Sequence, residues 1–214
     1  MSIYSLVKEV RKMPRTKKQF EEMRISTREK IQSAAMYLFA KKGLAATNVQ
    51  EIADAAGISI GLLYKHYKTK DALFYELVEF AFNGLKDINL RLCVDESPKV
   101  ILEQIIDEIY EDLGNNEDFS NLMNLLTQVI LSGKEDKKLA GLLEQDFKMF
   151  QSLSDLIKRG QELGEFRSGD SFEMAILFFS VIQGLTIFRT ALQPVFKVPA
   201  KSLMTSFLYE ERKE

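Results

Sequence analysis

The stretch TNVQEIADAAGISIGLLYKHYKTKDAL, residues 47–73, decides the architecture of this 214-residue chain. Its apolar spacing predicts a short helix, a tight turn at Gly57, a second short helix and the start of a third. Thr47 is expected to cap the first helix, because Gln50 follows it at the spacing of a capping box. Two short helices joined by a glycine turn are typical of a helix-turn-helix, whose second helix enters the DNA major groove.

The second short helix, residues 60–66, follows a serine that suits an N-cap, Ser59. Leu63 and Tyr67 lie four residues apart and are predicted to face inward. The outer face is left to Gly61, Tyr64, Lys65 and His66, so this helix carries the candidate DNA contacts.

The same stretch resembles the DNA-binding signature of the tetracycline-repressor (TetR) family of bacterial transcription regulators. The similarity covers about 27 contiguous positions and extends back to about Ser26 through the preceding helix. The remaining two thirds of the chain resemble the family only in length and helical character. The residues that carry the resemblance are Thr47, Ile52, Ala53, Ala56, Gly57, Ile58, Ser59, Gly61, Leu63, Tyr64, His66, Tyr67, Lys68, Lys70 and Leu73.

The resemblance implies roles for ten residues in binding double-stranded operator DNA. Gln50 matches a position that can reach a base edge. The groove-facing start of the recognition helix corresponds to Ile60, Gly61 and Leu62. The positions that match phosphate contacts are Thr47, Ser59, Tyr64, Lys65, His66 and Lys70. Hydroxyls, amines and a helix N-terminus are the groups that bind phosphates in protein–DNA complexes.

Ile60 and Leu62 depart from the family pattern, which more often has small or polar residues at these positions. Apolar side chains cannot read hydrogen-bond donors. They can contact thymine methyl groups, or one of them can be buried. Base reading is then expected to depend on Gln50 and on DNA shape.

Composition predicts an all-α protein, which the caps and apolar spacing divide into about nine helices and the motif and resemblance into a DNA-binding head and a helical body. Only 11 Gly and 4 Pro interrupt a chain that is 46% hydrophobic. Residues 1–70 carry a net charge of +8, whereas residues 71–214 carry −10. A basic head on an acidic body predicts a polyanionic partner for the head alone.

Three segments are predicted: a basic extension over residues 1–25, a helix-turn-helix domain over 26–72, and an effector-binding and dimerisation domain over 73–214. The extension is either an arm that touches DNA or a loose leader, with Met13 or Met23 as the true start. No signal peptide is expected.

The further helices of the prediction follow from caps, breakers and apolar spacing. Ser26 and Glu29 form a second capping box, which predicts that the helix before the motif begins near Thr27. The predicted helices outside the motif span about 27–42, 70–92, 98–113, 118–131, 136–163, 171–192 and 199–211. The helix over 70–92 is about 34 Å long at 1.5 Å per residue, which is enough to bridge head and body.

An enzymatic function is not expected. His66 is the only histidine and Cys93 the only cysteine, so neither a catalytic triad nor an ordinary zinc site can be assembled. No glycine-rich phosphate loop appears. We therefore predict no cofactor, no metal and no catalytic residue, and the single cysteine excludes an intrachain disulfide.

The body is predicted to bind an apolar or amphipathic small-molecule effector. Thirteen of the 15 Phe residues follow residue 70, and Gln183 is an amide within an apolar helix that needs partners. The candidate effector contacts are Phe119, Met123, Phe147, Phe150, Phe179 and Gln183.

The last two predicted helices are the candidate dimer surface, because the helix over 171–192 is apolar nearly all round. The most apolar run of this helix, residues 174–188, is shorter than the roughly 20 apolar residues that a membrane span needs, so no membrane partner is expected. The alternative is a central helix in a monomer. The candidate interface residues are Phe172, Phe179, Leu203 and Phe207.

Together these features predict a cytoplasmic, homodimeric repressor that an effector releases from a palindromic operator. Within DNA binding, an activator or a ligand-independent regulator stays open. From another class, the alternative is a small-molecule-binding helical protein without DNA function.

Overall fold

A computed structural model describes residues 17–132 and 137–209. The described residues form nine α-helices and no strand, as the composition predicts. The nine helices are α1 Lys17–Ala46, α2 Val49–Ala55, α3 Ile60–His66, α4 Lys70–Leu92, α5 Pro98–Asn115, α6 Glu117–Ser132, α7 Lys137–Glu162, α8 Ser171–Leu192 and α9 Lys201–Met204.

Side-chain caps start most of these helices where a polar residue precedes an apolar run. Ser59, Thr69 and Ser97 each accept a hydrogen bond from a backbone N–H in the first turn of α3, α4 and α5. Asp170 accepts two such bonds at the start of α8. These caps fix the helix starts that the sequence also predicts for α4, α5 and α8.

The first helix differs from its prediction at the N-terminal end. It begins at Lys17 rather than near Thr27, so Ser26 lies within the helix and does not cap it. The hydroxyl of Thr27 instead donates to the carbonyl of Met23, one turn earlier in the same helix. Gly43 interrupts the helix as expected, with a φ of 79° that favours glycine.

One hydrophobic core joins the head to the body. Ile31, Phe39, Ile52 and Leu63 of the head are fully buried and belong to the same cluster as Leu125 of α6. The carbonyl of Ala40 accepts from Gln128 of α6, and Ser33 donates to Asp118 at the start of α6. The first helix is therefore attached to the body through α6 as well as through α4.

A second hydrophobic cluster forms the body. It joins α5, α7 and α8 with the end of α4 and the C-terminal segment. Gly160 of α7 lies against the ring of Phe166, so close that an added Cβ would be 2.2 Å from Cδ2 of Phe166.

The C-terminal helix is much shorter than predicted. It comprises Lys201–Met204 and is followed by turns as far as residue 209, whereas the sequence predicts a helix over 199–211. Leu208 is fully buried, and its carbonyl accepts from the backbone N–H of Arg167. Packing of this segment onto the body replaces the last predicted helical turns.

Helix α8 buries only part of its surface. Among the described residues, it is the one helix that is long and apolar enough to cross a membrane, judged by length and composition alone. Only 28% of its most apolar 18-residue stretch is buried inside the protein. The exposed apolar residues of α8 are Ile176, Leu177, Ile187, Phe188 and Leu192.

Candidate nucleic-acid interface and ligand cavity

Asn48, not Thr47, caps α2. The side chain of Asn48 accepts from the backbone N–H of Gln50 at 2.6 Å, and Glu51 accepts from the backbone N–H of Asn48 at 2.9 Å. Thr47 is 1% exposed, and its hydroxyl donates to the carbonyl of Gly43 at 2.7 Å. The capping box is thus shifted by one residue, because Thr47 completes hydrogen bonds at the end of α1.

Helix α3 presents the outer face that its sequence predicts. Leu63 and Tyr67 are buried, whereas Gly61 and Lys65 are exposed and Tyr64 is 49% exposed. No atom lies within 4 Å of a Cβ added at Gly61. The backbone at this point is open to a close approach by a partner.

Neither Ile60 nor Leu62 is buried. Ile60 is 37% exposed and Leu62 is partly exposed, so both are placed for apolar contacts with a partner surface. Ser59, immediately before them, is exposed, and its hydroxyl already caps α3. Gln50 is also exposed, and its amide donates to Asp54 one turn later at 2.7 Å.

The ammonium of Lys70 lies on backbone carbonyls. Its Nζ donates to the carbonyl of Leu44 at 2.7 Å and to that of Thr47 at 2.6 Å. Leu44 lies in the last turn of α1 and Thr47 lies between α1 and α2, whereas Lys70 starts α4. The side chain therefore holds three elements of the head together.

A polar cluster fixes α3 against α1 and α4. Tyr67 donates to Glu76 of α4 at 2.8 Å, and Gln32 of α1 donates to the same carboxylate at 2.8 Å. Arg28 pairs with Glu76 and lies over the ring of Tyr67 at 4.7 Å. Burial and the hydrogen bond to Glu76 raise the pKa of Tyr67.

A surface groove of about 530 Å³ runs between α1 and α3. Leu62, Lys65 and His66 line it from α3, and Arg24 and Arg28 line it from α1. Desolvation, followed by the charges of Arg28 and Arg24, lowers the pKa of His66. Arg24 belongs to the basic extension for which an arm that touches DNA is one alternative, whereas Arg28 was not predicted as a DNA contact. Their spacing of four residues places them on one helical face.

The body contains a cavity of about 540 Å³ between α4, α6, α7 and α8, here called the body cavity. Four of the six candidate effector residues line it: Met123, Phe150, Phe179 and Gln183. Phe119 does not line it, and the side chain of Phe147 lies outside the described part of the structure. Leu85 of α4 also lines this cavity.

Asn124 of α6 supplies the partner that Gln183 needs. Its Oδ1 accepts from Gln183 and from the hydroxyl of Thr186, each at 3.2 Å. Its amide group donates to the hydroxyl of Thr190 at 2.9 Å. Asn124 was not predicted from the sequence, because it has no distinctive motif around it.

The four candidate dimer residues lie in different surroundings. Leu203 is 70% exposed and Phe172 is partly exposed. The ring centroids of Phe179 and Phe150 lie 4.5 Å apart, and Phe179 lines the body cavity, whereas Phe207 packs on the second core cluster.

Among the described residues, no group of three or more His, Cys, Asp or Glu could hold a metal ion.

This fold and the open face of α3 define a helix-turn-helix protein with a basic head on a helical body. Residues 31–77 match the family model described as "Bacterial regulatory proteins, tetR family". This match covers the helix-turn-helix head and shows that this part of the chain is similar to the DNA-binding part of that family.

Relatives and solved structures agree with this similarity. The chain is 37% identical over 115 residues to the uncharacterized HTH-type transcriptional regulator YerO of Bacillus subtilis, an alignment that covers 52% of this chain and 39% of YerO. It is 28% identical over 152 residues to the HTH-type transcriptional repressor KstR2 of Mycolicibacterium smegmatis, covering 66% and 68%. The structure of the MbdR regulator from Azoarcus sp. CIB matches with a TM-score of 0.66, at 26% identity over 85% of this chain and 97% of that one.

Proposed function

We propose that the protein is a cytoplasmic transcriptional repressor that binds operator DNA as a homodimer and is released by a small-molecule effector. The observation that carries the proposal is the continuity of the first core cluster from the helix-turn-helix to α6, which lines the body cavity. A ligand in the cavity and DNA on α3 then act on one packed unit. A repressor is favoured over an activator by the name of the relative KstR2.

DNA binding is proposed to use α3 in the major groove, with phosphates on its flanks. The exposed Tyr64 and Lys65 supply the hydroxyl and amine that phosphate contacts use. Gly61 allows the backbone to approach closely, and Ile60 and Leu62 can contact thymine methyl groups. Arg24 and Arg28, across the groove from Lys65, are added to the phosphate contacts expected from the sequence.

Coupling is proposed to pass through α4 and α6. Leu85 of α4 lines the body cavity, and Glu76 of the same helix accepts from Tyr67 at the end of α3. A ligand that changes the tilt of α4 therefore moves the recognition helix. Two such states with different affinities for effector and operator are what release requires.

Dimerisation is proposed to bury the exposed apolar face of α8. Leu177 and Phe188 are about half exposed and do not line the body cavity. Phe188→Glu should give a monomer at micromolar concentration in analytical ultracentrifugation. Phe80→Glu on α4 is the matched control, because Phe80 is 65% exposed and should leave the dimer intact. Wild-type monomer at that concentration rules the dimer out.

A two-fold symmetric dimer implies an inverted-repeat operator, with half-sites about 34–36 Å apart or a multiple of that distance. The experiment that tests the proposed function begins by selecting genomic DNA fragments on the purified protein and footprinting the best of them. Two symmetric protected half-sites, with affinity that falls steeply with salt, support the proposal. Binding with no preference among fragments favours a helical ligand-binding protein without DNA function.

Effector response is tested on the same fragment. A ligand that stabilises the protein against heat should also weaken its binding to the fragment, because linkage is reciprocal. A ligand that stabilises the protein without changing operator affinity points to a ligand-independent regulator.

A further inference from the structure

A smaller cavity of about 230 Å³ opens between α4 and α7 beside the body cavity. We name it the α4–α7 cavity. It shares Leu85 and Met149 with the lining of the body cavity, so the two spaces adjoin. The body cavity is lined mostly by apolar side chains. The α4–α7 cavity adds two cations, Lys86 of α4 and Lys148 of α7.

Asn89 gives this cavity an unmet hydrogen-bonding group. Its side-chain Oδ1 is buried and has no hydrogen-bond partner among the described residues. A buried carbonyl oxygen without a partner costs free energy, and a half-turn of the side-chain amide presents either its carbonyl or its NH₂ group to a ligand. An amide NH₂ group beside the two lysines favours a ligand that carries a carboxylate or a phosphate.

A polar cleft between α1, α6 and α8 also adjoins the body cavity, with which it shares Gln183. There Asn124 bonds to both Gln183 and Thr190, and the ammonium of Lys41 donates to the hydroxyl of Tyr37. These groups are satisfied within the protein. Of these two polar spaces, only the α4–α7 cavity is lined by a buried side-chain atom that has no hydrogen-bond partner among the described residues.

We propose that the effector is an amphipathic anion, with its apolar part in the body cavity and its carboxylate or phosphate between Lys86 and Lys148. This inference rests on the proposed ligand response and specifies its chemistry. The anionic end would join α4 to α7, and α4 is the helix that holds α3 through Glu76. Binding of the charged end would thus act directly on the coupling helix.

Three 12-carbon probes that differ only at the end group test the charge preference: dodecanoate, dodecanol and dodecylammonium. Isothermal titration of the DNA-free protein should show dodecanoate binding about tenfold or more tighter than dodecanol, and dodecylammonium weakest. Dodecyl phosphate, titrated in parallel, distinguishes a phosphate end from a carboxylate end by which of the two binds more tightly.

The variant Lys86→Gln/Lys148→Gln should abolish the preference for dodecanoate while leaving dodecanol affinity within about twofold. Both lysines are exposed, so the variant should keep the wild-type melting temperature. Lys158→Gln, an exposed position of α7 outside both cavities, is the matched control and should keep the preference.

Asn89→Leu supplies an independent measurement. It removes the unpaired amide, so it should raise the melting temperature of the free protein while weakening dodecanoate binding. Equal affinities for dodecanoate and dodecanol, a preference that survives in the double variant, or no binding of any probe would each overturn the inference. Operator binding by the ligand-free protein is measured separately, so failure here does not touch the DNA-binding proposal.

Discussion

Replacing Lys70 by Met should destabilise the head without removing a phosphate contact. The ammonium of Lys70 donates to the carbonyls of Leu44 and Thr47 at 2.7 and 2.6 Å. A hydrogen bond from a charged group contributes about 1.5–3 kcal/mol when it is buried. Since Lys70 is partly exposed and water can replace it, the expected loss for the pair is about 1–2 kcal/mol.

That loss corresponds to a fall of about 2–8 °C in melting temperature for a chain of this size. Lys65→Met is the contrasting variant, because Lys65 is exposed at the end of α3 and has no hydrogen bond within the described residues. Lys65→Met should leave the melting temperature unchanged and reduce the log–log salt slope of DNA binding by about 1. Lys70→Met should show the opposite pattern, with a lower melting temperature and an unchanged salt slope.

Differential scanning calorimetry and anisotropy titrations at several salt concentrations measure the two quantities on the same preparations. If Lys70→Met instead reduces the salt slope by about 1 while the melting temperature stays at the wild-type value, then Lys70 is a phosphate contact. That result would refute the structural role assigned to its carbonyl contacts.

Three further outcomes follow from single residues. His66, the only histidine, has a pKa lowered from 6.5, and a DNA phosphate beside it raises that pKa. Operator affinity should therefore rise as pH falls from 7.5 to 6, and His66→Gln should abolish this rise in anisotropy titrations. In the absence of DNA, a fall in pH should lower the folding stability, because the lowered pKa of His66 means that the folded state binds fewer protons than the unfolded state. The contribution of His66 to the free energy of unfolding is present above pH 6.5 and is lost as pH falls below it. Tyr67→Phe leaves Glu76 without one donor and should lower the free energy of unfolding by about 1–2 kcal/mol in urea titrations; an unchanged value means that water replaces the hydroxyl. Gly160→Ala should cost about 1–3 kcal/mol because its Cβ meets the ring of Phe166, and Phe166→Leu in the same chain should recover part of that loss.

Local signals in the sequence predict most of the head. Ser59 caps α3, and Leu63 and Tyr67 are buried, because capping and helical periodicity depend on neighbouring residues alone. The start of α1 was mispredicted because Ser26 and Glu29 match a capping box yet occur within a longer helix. A local pattern cannot tell a helix start from a helix interior when both suit the same residues.

The contacts between distant segments could not be predicted. The ammonium of Lys70 reaches carbonyls 26 and 23 residues earlier in the chain, and Asn124 meets Gln183 59 residues later. The shortened C-terminal helix also results from contacts between distant segments. Leu208 packs on the body, and its carbonyl accepts a hydrogen bond from the backbone N–H of Arg167. These features depend on tertiary packing, which periodicity does not encode.

The most direct test of the central claim is the operator affinity of Gly61→Leu. A Cβ at Gly61 meets no atom within 4 Å in the free protein, so the variant should fold normally. Gly84→Leu on α4 is the matched control, because the space at Gly84 is equally open. If α3 lies in the major groove, Gly61→Leu should weaken operator binding at least about tenfold with an unchanged melting temperature, while Gly84→Leu binds like wild type. Wild-type operator affinity in folded Gly61→Leu would show that α3 is not the surface that meets DNA.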